Sequence, residues 1–334
     1  MELGVFETPG KEWDEFVSRY SDLIFYQSLW SDVLRRGLGG HPLYFYLKEG
    51  GEIVAGLPAI LFNFKILKIL YASIPYGNLV GDRSSFEEFG SLLDGEFRRR
   101  GIDQVRVTES PFSVSYRPSS FKPLSATCHL LDLGGASKEG IWGGYKKYVR
   151  RDIRRAQRGG IVIRRGTSRE DVRVVYELYL TSMERNKAMA KYPFRWFEAL
   201  YEVMARTNRG AFLIAEMNHV PAAAVVLIFS STSTHYFHNG SRSEFLKHCP
   251  NELLIHYSLE EAIEKKHGSF DFMGSDSNDL SLIRFKEKWG SRSLDILTYV
   301  KDYHPVKARL WEWGKRMISS GWGSRVARFV RSIS

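Results

Sequence analysis

The chain has 334 residues, a formal charge of +10 and a pI near 9.4, with 43% apolar and 14% aromatic residues. This composition belongs to a folded protein with room for two cores and excludes a disordered or fibrous chain. The longest apolar run, Val220 to Phe229, is far short of the ~20 residues that cross a bilayer, and the N-terminus has no signal-like pattern, so a cytoplasmic location is expected.

From the N-terminus, Phe45 to Phe62 (FYLKEGGEIVAGLPAILF) reads as two strands around Gly50-Gly51. It aligns without gaps on Phe212 to Phe229 (FLIAEMNHVPAAAVVLIF), whose turn is Asn218-His219. Each hairpin is followed by a strand, a helix and another strand. In the first half these are Ile69 to Ile74, Ser84 to Arg100 and Ile102 to Thr108; in the second, Thr234 to Asn239, Pro250 to Lys266 and Ser269 to Met273. Pro250 near the start of its helix and Gly268 beyond the end follow the usual asymmetry of helix termini. The echo predicts a tandem duplication of one α/β unit: an N-terminal domain over 1–137, a connecting helix over 138–160, a C-terminal domain over 161–303 and a tail over 304–334.

The connecting segment carries Lys146, Lys147, Arg150, Arg151, Arg154, Arg155 and Arg158 against one acid, Asp152. Tyr145, Tyr148, Val149, Ile153 and Ala156 recur at helical spacing, which predicts an apolar seam opposite a cationic face, ended by Gly159-Gly160. Such a face is either solvated or set against an anion, and crowding of like charge favours the anion. The tail interleaves Trp311, Trp313, Trp322 and Phe329 with seven basic residues, the pattern of an interfacial anchor or of a helix packed on its own domain, and Gly321 and Gly323 break any long helix.

No GxSxG, Walker, HExxH or GxGxxG motif is present. The nine histidines are scattered, and Cys128 and Cys249 lack CxxC spacing, so neither a metal centre nor a disulfide framework is expected and both cysteines read as buried thiols. No convincing glycine turn able to cradle a coenzyme A pyrophosphate follows a strand in either half, and Arg36 to His41 (RGLGGH) lies in the wrong context. Within SLIRFKEKWG, Ser281 to Gly290, the spacing alone makes Phe285 and Trp289 core positions and leaves Lys286 facing water.

Several stretches in collinear order resemble the FemABX aminoacyltransferases: FYQSLWSDVL (from Phe25), YKKYVRRDIRRAQRGGIVIRRG (from Tyr145), YELYLTSMERN (from Tyr176), YPFRWFEAL (from Tyr192), YFHNGSRSEF (from Tyr236), PNELLIHYSLEEAIEKKHGSFDFMGS (from Pro250) and RFKEKWG (from Arg284). The resemblance runs from about Phe25 to Val300 and extends to FemAB-like proteins of polysaccharide systems. It implies an α/β (α+β) chain of two tandem GNAT-like domains, each a mixed sheet flanked by helices. It also implies an acyltransferase in which Lys286 stabilises the oxyanion of acyl transfer and Phe285 packs beside the reacting groups.

By the same resemblance, Tyr192, Trp196, Lys191, His238, Asn239, Asp271, Ser275 and Arg35 are expected to contact substrate. Lys147, Arg150, Arg151, Arg154 and Arg155 are expected to bind the phosphates of the donor. His238 stands where the family has a tyrosine, the lysine expected soon after Trp30 is replaced by Arg35 and Arg36 nearby, and the long coiled-coil arm of some members is missing. These departures bear on the acceptor more than on the chemistry. Asp271, Asp276, Asp279 and His238 are candidate general bases, unless the substrate loses its own proton without one.

The expected donor is aminoacyl-tRNA, or alternatively acyl-CoA acting on an exopolysaccharide, with no other cofactor and no metal. The expected acceptor is an amine on a cell-envelope precursor, with peripheral membrane contact through the tail. The non-catalytic alternative is a basic RNA- or envelope-binding protein on the same frame.

Overall fold

The computed structural model describes residues 1–112, 116–275 and 279–319, with 315–319 described by backbone alone. The N-terminal half contains β1 (Glu2–Phe6), α1 (Lys11–Ser18), α2 (Ser28–Leu38), β2 (His41–Pro42), β3 (Tyr44–Glu49), β4 (Glu52–Leu57), β5 (Ile60–Asn63), β6 (Lys68–Tyr71), β7 (Val80–Gly81), α3 (Phe86–Arg99), β8 (Gln104–Thr108) and β9 (Lys122–Asp132). Two helices, α4 (Lys138–Gly144) and α5 (Lys147–Arg158), then lead into the second half. There follow β10 (Ile161–Arg165), α6 (Arg169–Arg185), α7 (Phe194–Ala199), β11 (Gly210–Met217), β12 (Val220–Phe229), β13 (Ser233–Ser241), α8 (Pro250–Glu264), β14 (Ser269–Ser275), α9 (Leu280–Glu287), β15 (Arg292–Asp302) and α10 (Pro305–Ser319).

Both predicted hairpin turns form, but the second strand of the first, expected to run to Phe62, ends at Leu57 before Pro58, and residues 60–63 form β5 in the other sheet. Gly50 and Gly51 have φ of 59° and 87°, and Asn218 and His219 have φ of 52° and 62°. Positive φ at both central residues gives the turn the twist that two-residue hairpins need. Helix α8 starts with Pro250 in its first turn. Its end differs from the expectation: Lys266, not Gly268, takes the left-handed conformation, at φ 60°.

A small sheet runs β1-β3-β4-β7, and a long one runs β10-β11-β12-β13-β14-β9-β15-β8-β6-β5-β2. The joint of the long sheet is an exchange of strands. β9, from the N-terminal half, lies between β14 and β15, while β15, from the C-terminal half, pairs with β8 of the N-terminal half. Each half therefore completes the sheet of the other, and the ladders couple their folding.

The cores follow from strand alternation. Phe270 and Phe272 of β14 join the cluster of Val149, Ile153, Leu213, Val225 and Leu254 under α5 and α8. The cluster that holds Trp30, Tyr76, Val175, Trp196 and Ile214 lies under α2, α6 and α7. The seam of α5 is Val149, Ile153 and Ala156, flanked by buried Tyr145, whereas Tyr148, expected in the seam, is exposed.

Candidate active site

Lys286 does not face water. Asp279 caps α9 by accepting from the Leu282 N–H at 3.0 Å, and Lys286 on this helix points inward, with 6% of its surface exposed. Its Nζ donates to the carbonyls of Met273 at 3.0 Å and Gly274 at 2.8 Å. Those carbonyls are available because the β14–β9 register breaks between Asp271 and Gly274, with Met273 at φ 63°. Burial pushes the ammonium down to about 8 from 10.5, and Asp271 is the largest influence opposing that fall. An ammonium has three donors, and the third has no partner among the described residues.

Asp271 is fully buried between the halves. Its Oδ2 accepts from Tyr76 at 3.1 Å and from His235 Nδ1 at 3.0 Å, and its Oδ1 accepts from the Met273 N–H at 2.7 Å. His235 Nε2 meets Ser230 Oγ at 2.9 Å, and that hydroxyl accepts from the Ile24 N–H at 3.1 Å. The order serine, histidine, aspartate resembles a hydrolase triad. However, all three side chains are shut from solvent, so the chain of bonds fastens the halves together and exposes no nucleophile. Tyr76 and His235 were missed from the sequence, where each stands alone in a strand or loop; burial against each other across 159 residues carries no local signal.

A wall of aromatic rings borders this network. Phe25 contacts His235 at 4.7 Å and Trp30 at 4.9 Å, and Trp30 contacts Trp196 at 6.0 Å. Trp196 stacks on Tyr192 at 5.3 Å, and its indole N–H donates to His238 Nε2 at 2.8 Å. An imidazole nitrogen that accepts this bond carries no proton, and burial pushes the His238 pKa down to about 3. We expect nitrogen-15 NMR of His238 to show one neutral tautomer, protonated at Nδ1, throughout pH 5–8, so His238 is no proton donor by Nε2 in that range. A titration there would contradict the geometry.

The other expected site residues are dispersed. Asn239 is exposed on β13, and Lys191 is exposed with its backbone N–H donating to Tyr179 Oη at 3.0 Å. Arg35 pairs with Asp32 on the surface of α2 at 2.7 Å. Ser275 Oγ is buried with no partner among the described residues. Phe285 packs against the cluster under α5 and α8, with Lys288 Nζ 4.5 Å from its ring. One residue along a helix is a turn of about 100°, so Phe285 and Lys286 cannot share a face. Asp276 lies outside the described residues, as do Gly321, Trp322, Gly323 and Phe329 of the tail.

On α5, Lys147, Arg151, Arg154 and Arg155 are exposed. Arg150 is committed elsewhere, its Nη1 donating to the carbonyls of Trp142, Gly143 and Tyr145 and so closing the end of α4. Arg154 lies over the Trp142 ring at 5.4 Å. α5 touches the Ser243–His248 turn that leads into α8, so the cationic face adjoins the start of that helix.

Between this cationic face and Lys286 the pairing of β13 with β14 is short. β13 and β14 pair in parallel only from Ser233 to His235 with Ser269 to Asp271. Beyond that, β13 pairs with β12, and Gly274 and Ser275 pair with β9. The break in pairing falls where the Lys286 ammonium bonds the carbonyls of Met273 and Gly274. A separate cavity of about 360 Å³ under α3, lined by Leu57, Leu93, Phe97, Val105 and Lys301, includes none of these residues.

Residues 143–287, from the end of α4 to one residue past Lys286, match the family model for an acetyltransferase (GNAT) domain. No curated protein matches the sequence. Among solved structures, the crystal structure of FemX superposes with a TM-score of 0.68 at 14% identity, covering 94% of this chain and 99% of that chain. The C-terminal domain of a putative lysylphosphatidylglycerol synthetase from Agrobacterium fabrum gives 0.59 at 14% identity, covering 92% and 98%. A tandem GNAT protein from the clavulanic acid biosynthesis pathway gives 0.59 at 11% identity, covering 90% and 98%. These likenesses show a shared fold.

Proposed function

We propose, from the premise that the chain is a FemABX-like tandem GNAT protein, that it is an N-acyltransferase moving an aminoacyl or acyl group from an activated ester to an amine of a cell-envelope peptide, sugar or lipid-linked precursor. The observation that carries this reading is the buried Lys286 ammonium, with two protons on backbone carbonyls and the third directed to no described partner.

The acceptor amine attacks the ester carbonyl, a C–N bond forms, and the carbonyl electron pair moves onto oxygen. Lys286 donates its third N–H to that oxyanion. Collapse breaks the C–O bond, and the proton lost by the amine ends on the leaving alcohol. Asp271 holds Lys286 in its charged form from across the bulge, and the ring wall of Trp30, Trp196 and Tyr192 excludes water from the region of acyl transfer. A preorganised cation in a dry site is worth far more than the same cation in water.

The exposed basic residues of α5 support a phosphate-bearing donor, which we take to be aminoacyl-tRNA reaching Lys286 where the pairing of β13 with β14 breaks. The name of the lysylphosphatidylglycerol synthetase, which shares the fold, is in keeping with an aminoacyl group. Binding of tRNA is expected to weaken linearly on a log–log plot against salt, by roughly 0.7–0.9 in slope per phosphate neutralised. The double variant Arg151→Glu/Arg154→Glu is expected to lose part of that slope, and filter binding at several salt concentrations reads it. A slope near zero for the unaltered protein would remove tRNA as the donor.

A second reading, an acyl-CoA donor, is favoured by the match to an acetyltransferase domain. Against it, residues 242–249 entering α8 contain no glycine and fold as a short 3₁₀ turn, Ser243–His248, in contact with α5. The test of the main reading is mass spectrometry of envelope precursors from a deletion strain beside wild type. The expected result is the loss of one acyl or aminoacyl mass increment; identical precursor pools would overturn the proposal.

A further inference from the structure

Helix α10 has two apolar sides, and only one of them is covered. Inward, Ala308 is buried, Trp311 lies 4.6 Å from the Phe64 ring, and Glu312 pairs with Arg106 at 2.9 Å. Lys307 pairs with Asp103 at 2.9 Å beside them. These contacts fix the helix on the N-terminal half. Outward, Val306, Leu310 and Trp313 are exposed by 71%, 57% and 64% and recur at i, i+4 and i+7, one stripe along the helix. The turn between β5 and β6, which touches α10 through Phe64, adds Ile66, 53% exposed, and Lys65.

The charges around this stripe have one sign. Arg309 is exposed on α10, and the single acid of the helix, Glu312, is half-exposed and pairs with Arg106. The sequence beyond residue 319 adds Arg325, Arg328 and Arg331 and no acid. Large apolar side chains, tryptophan included, with basic neighbours form the pattern of a helix that lies in a bilayer interface. A protein partner would meet the stripe equally well, but the uniformly basic border favours a surface of uniform negative charge. Among the described residues no helix is long and apolar enough to cross a membrane, so the contact lies in the plane.

We propose that the outer face of α10 and the 64–66 turn dock the protein on an anionic bilayer. The stripe and the turn belong to neither the Lys286 nor the Trp196 group, so the proposal stands apart from the acyl-transfer reading. The test is co-sedimentation of the full chain with phosphatidylcholine vesicles, with and without phosphatidylglycerol, at low and high salt. Binding is expected to the mixed vesicles and to fall at high salt. Leu310→Ser/Trp313→Ser, which leaves every charge in place, is expected to weaken it by at least about tenfold with an unchanged melting temperature. The proposal is overturned if the unaltered chain ignores phosphatidylglycerol, or if the double variant binds as well, since charge alone would then suffice. It is equally overturned if light scattering finds a dimer that the double variant converts to a monomer, because the stripe would then belong to a second copy.

Discussion

Lys286→Met is expected to lower kcat by about 10²–10³-fold, or ~3–4 kcal/mol of transition-state stabilisation, while tRNA binding stays unchanged. The pH profile gives the same residue an independent signature. With its pKa pushed down to about 8 by burial, the side chain is charged below that pH and neutral above it. The rate of the unaltered enzyme should therefore fall as pH rises through about 8, and the variant should lack that limb.

Stability runs the other way. Between about 8 and 10.5 the unfolded chain still holds a proton that the folded chain has released, so folding stability contributed by this group rises with pH across that window. Burying the charge costs the fold about 3 kcal/mol at neutral pH, from 1.36 kcal/mol per pH unit of displacement. The methionine variant removes that cost but leaves the Met273 and Gly274 carbonyls without their donor, so the two effects offset and its melting temperature should change little. A purely structural lysine would differ on both counts: activity retained and stability lost. Single-turnover kinetics over pH 6–9 with parallel thermal melts would decide between them.

What was legible in the sequence is what local chemistry fixes. The Gly50-Gly51 and Asn218-His219 turns demand positive φ, Pro250 suits only the start of a helix, and the apolar spacing of α5 predicts the three residues it buries, so the duplicated units emerge from short windows. The exchange of β9 and β15 does not emerge. Each reads as a strand in its own window, but whether Leu130 pairs with Asp271 and Arg292 or with a strand of its own half is a choice among distant partners. The direction of Lys286 was hidden for a related reason. Its neighbours Phe285 and Trp289 do belong to a core, as the spacing indicates. What turns the lysine inward is the bulge at Met273, thirteen residues earlier, which frees two carbonyls for it. Tyr76 is a harder case still: it reaches Asp271 from an interruption of the N-terminal half between β6 and β7, where β13 of the other half runs unbroken.

Asp271→Ala is expected to destabilise the whole chain by about 3–5 kcal/mol. The carboxylate receives three donors, from Tyr76, His235 and the Met273 backbone, at a point that solvent does not reach. Removing it leaves all three without an acceptor and strips Lys286 of the group that favours its charge, so the loss exceeds that of an ordinary hydrogen bond. Tyr76→Phe removes one donor and leaves the acceptor two others, and should cost only about 1 kcal/mol. Because β9 and β15 tie each half into the sheet of the other, the loss should appear as one displaced unfolding transition in urea, not as separate melting of one half. Equal midpoints for Asp271→Ala and the unaltered chain would mean that the three donors find other partners, and that the bonds between the halves are not what holds the Lys286 site in place.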